Sequence, residues 1–234
     1  MGRLKSAIPA AVTFEDVWER VGRVPLHRIR LSPPPGYATE QDVTRIQDRE
    51  DISCELIDGV LVEKVMGVPE SALAFQLGHS LGAFVKDNDR GFITAPDGTF
   101  RLMPGLVRIP DLAFVSWEQL PKKFYPTEAV PDLAPRLAVE VLSKGNTKAE
   151  MDLKLRDYFV SGVRLVWLID PDKRTARIYT APDEFRELSE RDSLDGGDVL
   201  PGFSLPLAEL FRYVERKPTA KKKGNNGGRK RNGR

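Results

Sequence analysis

Leu137-Ala-Val-Glu-Val-Leu142, then Thr147 to Ser161, Gly162, and Val163 to Ile169, is the stretch that decides the fold. The first segment is a near-continuous apolar run, the signature of a strand covered on both faces. Thr147 to Ser161 places Met151, Leu155, Tyr158 and Phe159 on one side of a helix, with Asn146 or Thr147 as its cap. Gly162 is positioned to end that helix. Val163 to Ile169 is a second buried strand, stopped by Asp170-Pro171. A strand, helix and strand in this order imply a parallel pair joined by a right-handed crossover. The expectation is an α/β domain built on a mixed sheet with helices on both faces.

Upstream, Val107 to Val115 reads as a strand interrupted by Pro110, a residue suited to a strand start and not to a central ladder position. Cys54 to Val65 is strand-like on either side of Asp58-Gly59, a strong hairpin signal. Ser71 to Lys86 carries Leu73, Leu77, Leu81 and Phe84 at helical spacing. Gly91–Thr94 and Thr99–Leu102 are short strands separated by the Asp97-Gly98 turn. Thr13 to Val21 and Thr39 to Asp51 read as helices, and residues 117–135 as a long Pro-rich connection. Downstream, Ala176 to Thr180 is a further strand, Asp195-Gly-Gly-Asp198 a turn, and Pro201 to Phe211 closes the domain. Residues 1–50 are expected to form a helical or irregular extension, 51–213 the folded domain, and 214–234 a disordered tail.

Composition narrows the function. Apolar residues make up 41% of the 234 and charged residues 30%, which suits a globular chain with a sizeable core. The apolar runs are too short to span a bilayer, so no membrane partner is expected. Met1 to Ala11 has no apolar core of the signal-peptide kind. The single cysteine, Cys54, excludes an internal disulfide and an all-cysteine metal site. Together these features point to the cytoplasm. The net charge of +2 hides a split: residues 216–234 carry nine Lys/Arg and no acid, leaving −7 on residues 1–215. Such a basic, Gly/Asn-rich tail can grip phosphate backbones by counterion release.

Two acids stand inside otherwise apolar strands: Asp111, between Ile109-Pro110 and Leu-Ala-Phe-Val, and Glu140, within Leu137–Leu142. A buried carboxylate is costly unless paired. For two on adjacent strands a divalent cation such as Mg²⁺ or Mn²⁺ is the most economical partner; it would activate water and stabilise the charge of a cleaved phosphodiester. The competing reading is that each acid pairs with an arginine such as Arg108 or Arg136. His27 and His79 have no partner at ligand spacing, so no zinc site is expected. Phosphate-binding Gly-rich loops and a nucleophile elbow are absent. Asp97 is explained by turn chemistry.

Pro110-Asp111, a gap, then Glu140-Val-Leu resembles the PD-(D/E)xK nuclease signature. The wider pattern resembles one branch of it, the Uma-two family of restriction-endonuclease-like proteins. The matching stretches are Cys54-Glu-Leu-Ile-Asp-Gly-Val-Leu-Val-Glu63, Arg108-Ile-Pro-Asp-Leu-Ala-Phe-Val115, Leu137–Ser143, Lys154-Leu-Arg-Asp-Tyr158 and Gly162–Pro171, in order over roughly residues 50–211. The resemblance implies a restriction-endonuclease-like mixed sheet flanked by helices, a metal-dependent endonuclease site acting on DNA, and a possible homodimer. Leu142 stands where the general signature has lysine. The resemblance assigns that role to Lys154 on the following helix, with Lys144 and Lys148 as rivals. It also places Glu55 as a further metal ligand beside Asp111 and Glu140; the competing reading of Glu55 is a surface strand residue paired with Lys64. The alternative is a catalytically inactive nuclease-fold protein that binds nucleic acid or another partner.

Deleting residues 216–234 is expected to weaken DNA binding and leave the melting temperature unchanged. The slope of log affinity against log salt should flatten by about 0.9 for each phosphate the tail neutralises. An unchanged slope in a fluorescence-anisotropy titration would reject the tail's role.

Overall fold

The structure, a computed structural model, describes residues 13–121 and 126–213. The tail expected at 214–234 lies outside the described residues. In chain order the elements are α1 (Phe14–Arg20), α2 (Glu40–Glu50), β1 (Cys54–Ile57), β2 (Val60–Glu63), α3 (Val68–Asp87), β3 (Gly91–Thr94), β4 (Phe100–Met103), β5 (Leu106–Arg108), β6 (Leu112–Ser116), β7 (Leu137–Val141), α4 (Lys148–Val160), β8 (Leu165–Asp170), β9 (Thr175–Ala181), β10 (Glu184–Ser189), β11 (Ser193–Gly196), β12 (Leu200–Pro206) and α5 (Leu207–Tyr213). No described helix is long and apolar enough to cross a membrane.

The expected crossover is present. β7 and β8 pair in parallel, with Leu137 opposite Leu165 and Glu140 opposite Leu168. They lie at the centre of a six-stranded sheet of order β10-β9-β8-β7-β6-β3, in which every other pair is antiparallel. Side chains alternate across the pleat. Leu137, Val139 and Val141 enter one core with α3 and α5, through Leu73, Leu77, Leu81, Leu210 and Phe211. Ala138, Val166 and Leu168 enter the other core with Met151, Leu155 and Tyr158 of α4 and Val17 of α1. The alternation therefore turns Glu140, two residues after Ala138, toward α4. The Thr147 hydroxyl caps α4 by accepting from the Glu150 amide at 3.0 Å.

A second sheet of order β2-β1-β5-β4 packs on the α4 side. Its β1–β2 hairpin turns at Asp58-Gly59, both in the left-handed region (φ 48° and 76°), as the favoured two-residue turn requires. Gly59 also lies against the backbone of Gly36, where a Cβ would come within 2.6 Å. The far face of this sheet, through Cys54, Leu56, Leu61 and Val107, is covered by Val43 and Ile46 of α2. Burial pushes the Cys54 thiol up to about 11, so it packs as an apolar residue.

One expectation needs correction. Val107 to Val115 is not one strand: β5 belongs to the small sheet and β6 to the large one, and Ile109-Pro110-Asp111 carries the chain between them. Proline serves here because the chain leaves one hydrogen-bond ladder before entering the next. The strands expected on either side of the Asp97-Gly98 turn are present as β3 and β4, which lie in different sheets. The sequence reading also missed β10, whose exposed Glu-Phe-Arg-Glu surface has little apolar alternation, and the β11–β12 ribbon. Within the long connection, Pro131 and Leu133 bond to Arg101 of β4.

Candidate functional site

Where the two sheets meet α4, charged side chains are buried together. Asp111, Glu140 and Lys154 are each 3–4% exposed, and Glu55 and Arg108 1%. Asp111 directly precedes β6, and its amide donates to the Val139 carbonyl at 2.9 Å, fixing it beside β7. Its Oδ2 accepts the Val141 amide at 2.6 Å. Its Oδ1 faces the Lys64 ammonium at 2.7 Å. Glu140 accepts, on Oε1, from Lys154 at 2.9 Å and from the Tyr158 hydroxyl. Its Oε2 has no hydrogen-bond or ion-pair partner among the described residues. Lys154 and Tyr158 reach the same oxygen because they are one turn apart on α4.

Lys154 also contacts Glu55 Oε1 at 3.0 Å, so its ammonium bridges β1 and β7. Glu55, expected as a metal ligand, has both oxygens occupied: Oε1 also takes the Ile109 amide at 3.1 Å, and Oε2 takes Arg108 at 2.8 Å. Arg108 in turn donates to Asp157 through Nε at 2.9 Å and through Nη2. Of the arginines proposed as partners for the two strand acids, Arg108 thus serves Glu55 and Asp157, while lysines serve Asp111 and Glu140. Lys144 and Lys148, the rivals of Lys154, are exposed, and Lys148 pairs with Asp152 at 2.5 Å.

Burial raises the Glu140 carboxyl above the usual range, with the charges of Asp111 and Glu55 adding to it and only partly offset by Lys154 and Lys64. Burial acts on Glu55 in the same sense, but Lys154 and Arg108 outweigh it and hold that carboxyl below the usual range. Burial works against the charge on Lys154, yet Glu140 and Glu55 keep its ammonium more firmly protonated than usual. The Tyr158 hydroxyl, buried against Glu140, stays protonated and is a permanent donor.

Asp111, Glu140 and Lys154 line one cavity of about 20 Å³ together with Lys64, Glu70, Arg28, Asn146 and Glu150. Sequence reasoning found the first three and missed the others. Arg28 pairs with Glu150 at 2.9 Å, and Asn146 donates to Glu150 at 3.2 Å. Glu150 lies one turn before Lys154 on α4, a spacing that could have revealed it. Arg28 and Lys64 come from distant parts of the chain and had no local signal. His79 lines a different cavity, of about 630 Å³, between α3 and β3, and His27 is exposed.

Among the described residues, no group of three or more His, Cys, Asp and Glu side chains is preassembled to hold a metal ion. The donor chemistry nevertheless fits a hard cation. All the cavity's acids offer carboxylate oxygen, which Mg²⁺ and Mn²⁺ prefer. The buried cluster of Glu55, Asp111, Glu140, Glu150 and Asp157 outnumbers its four cations, Arg28, Lys64, Arg108 and Lys154. A volume of about 20 Å³ leaves room for about one ordered water beside these carboxylates.

Residues 40–208 match the family model Uma2, described as "Putative restriction endonuclease". No curated protein matches the chain. A crystal structure from Anabaena variabilis, described as a "putative nuclease belonging to DUF820", superposes with a TM-score of 0.62 at 20% identity, covering 70% of this chain and 92% of that one. At that identity the likeness is one of fold, and it agrees with the mixed α/β architecture expected from the strand–helix–strand unit.

Replacing Glu55 by Gln should destabilise the protein at neutral pH by about 3 kcal/mol, because it strips a partner from two buried cations. Since the folded-state carboxyl is held below its ordinary value, its stabilisation is present above the usual glutamate range and is lost progressively as pH falls from that range toward the lower folded-state value. The gap between wild type and Glu55→Gln should therefore narrow on acidification in urea melts. A gap that is constant with pH would contradict the ion-pair account.

Proposed function

We propose, from the premise that this chain belongs to the Uma2 family, that it is a metal-dependent endonuclease that hydrolyses DNA phosphodiester bonds. One observation carries the reading: Asp111, just before β6, and Glu140, on the adjacent β7, line the same small polar cavity with an unpartnered carboxylate oxygen and ammonium groups around it.

In this reading Asp111 and Glu140 hold Mg²⁺ or Mn²⁺. The bound ion would lower the pKa of a water and offset charge developing on the phosphate. The chain's own groups do the rest. The Val141 amide and the Asp111–Val139 bond fix the orientation of Asp111. Lys154 and Tyr158 hold Glu140 Oε1, which leaves Oε2 toward the cavity. An ammonium has three protons to donate; Lys154 directs two at Glu140 and Glu55, and the third is available to a water or a phosphate oxygen. Glu55 acts by anchoring Lys154. The charge of −7 on residues 1–215 opposes DNA approach at long range, which the basic tail offsets.

A second reading is a nuclease-fold protein that binds nucleic acid without cutting it. It is favoured by the fact that Asp111 and Glu140 each already have a lysine partner. Supercoiled-plasmid nicking with Mg²⁺ or Mn²⁺ separates the two. Metal-dependent nicking should fall by about a hundredfold or more in Asp111→Asn and in Glu140→Gln, with the folded state intact by circular dichroism. Nicking that is absent in wild type supports the second reading. Equal nicking by all three proteins would place the activity outside this site.

A further inference from the structure

Lys64 is one of the cavity residues that the sequence reading did not assign to the site. It follows the last residue of β2, and its amide is tied to the Ser53 carbonyl at 2.9 Å. Its ammonium contacts Asp111 Oδ1 and donates to the Ile109 carbonyl. The next residue, Val65, is 64% exposed, so Lys64 stands where the chain leaves the sheet at the mouth of the cavity.

Lys154 sits between two buried carboxylates on a helix, and Arg28 is committed to Glu150 and to the Glu63 carbonyl at 2.8 Å. Asp111 has one oxygen fixed by the Val141 amide, so Oδ1 is the oxygen open to a new partner, and Lys64 occupies it. A divalent cation and an ammonium on the same oxygen repel strongly at such distances. The flexible four-carbon stem of a lysine lets the ammonium leave without backbone movement.

We propose that Lys64 is an exchangeable cation. It neutralises Asp111 when the site holds no metal ion, and it turns outward to a phosphate of the nucleic-acid substrate when a divalent cation takes Asp111. This inference rests on the reading of Asp111 and Glu140 as the ion's holders. It makes substrate contact by Lys64 conditional on the cation, so a free site does not offer its full positive charge to DNA.

The test is the salt dependence of binding to a phosphorothioate duplex that resists cutting, for wild type and Lys64→Met, with and without Ca²⁺. With Ca²⁺ the variant's slope of log affinity against log salt should be shallower by about 1, the loss of one phosphate contact. Without Ca²⁺ the two slopes should coincide, because Lys64 is then on Asp111. Calorimetry should show Lys64→Met binding Mn²⁺ more tightly, by about tenfold, since no ammonium has to be displaced. A purely structural counter-ion would leave the slopes equal in both conditions, and equal slopes with Ca²⁺ overturn the proposal. A difference already present without Ca²⁺ overturns it too. Lys64→Gln serves as the second variant if the Met protein melts early. Mn²⁺ binding that is the same in wild type and Asp111→Asn would instead overturn the site reading, and this proposal with it.

Discussion

The Lys154 ammonium, placed between Glu55 and Glu140, joins the small sheet, the large sheet and α4 at one buried point. None of these groups can ionise in an apolar interior alone, since unpaired burial costs several kcal/mol per charge. Each therefore requires the others, and the geometry of the site follows. Arg108 must lie at the end of β5 to complete Glu55, and Asp157 must lie on α4 to complete Arg108. The crossing of the chain from β5 to β6 then delivers Asp111 to the edge of β7. The scaffold of the cluster and the scaffold of the fold are the same set of contacts.

The parts of this arrangement that were legible in the sequence are the local ones. The Leu137–Ile169 strand–helix–strand unit declared itself by apolar run length and helical spacing, and Asp58-Gly59 by turn chemistry. Asp111 and Glu140 stood out as acids in apolar strands, and the resemblance added Lys154 and Glu55. The remaining partners were hidden because they are paired across long separations: Arg108 reaches Glu55 and Asp157 across 53 and 49 residues, and Lys64 reaches the Ile109 carbonyl across 45. No local period encodes such contacts. Tyr158 was read as an apolar-face residue, and it is one, but its hydroxyl is the polar tip that a buried aromatic must satisfy. β10 was missed because it is largely solvent-facing, where alternation is weak, and the β11–β12 ribbon because its core residues Leu194, Leu200, Phe203 and Leu205 are split by a Gly-rich turn.

The cluster also explains how a nuclease-like site can lack the lysine of the general motif. Leu142 lies past the end of β7 and packs with the core on the α4 face. In the proposed reading the cation would come instead from α4, whose register sets Glu150, Lys154 and Tyr158 along one side. The cavity they enclose is small and carries an excess of carboxylate, and Glu140 bears the electrostatic cost as a raised carboxyl pKa. A metal ion bound there would relieve that cost, which is the physical reason to expect one.

Anomalous X-ray scattering from crystals soaked in Mn²⁺ tests the central claim most directly. The account predicts a single strong peak within coordination distance of one Asp111 oxygen and of Glu140 Oε2, with Lys64 moved off Asp111. A map with no peak there, and with both carboxylates still held by their lysines at saturating Mn²⁺, would contradict it.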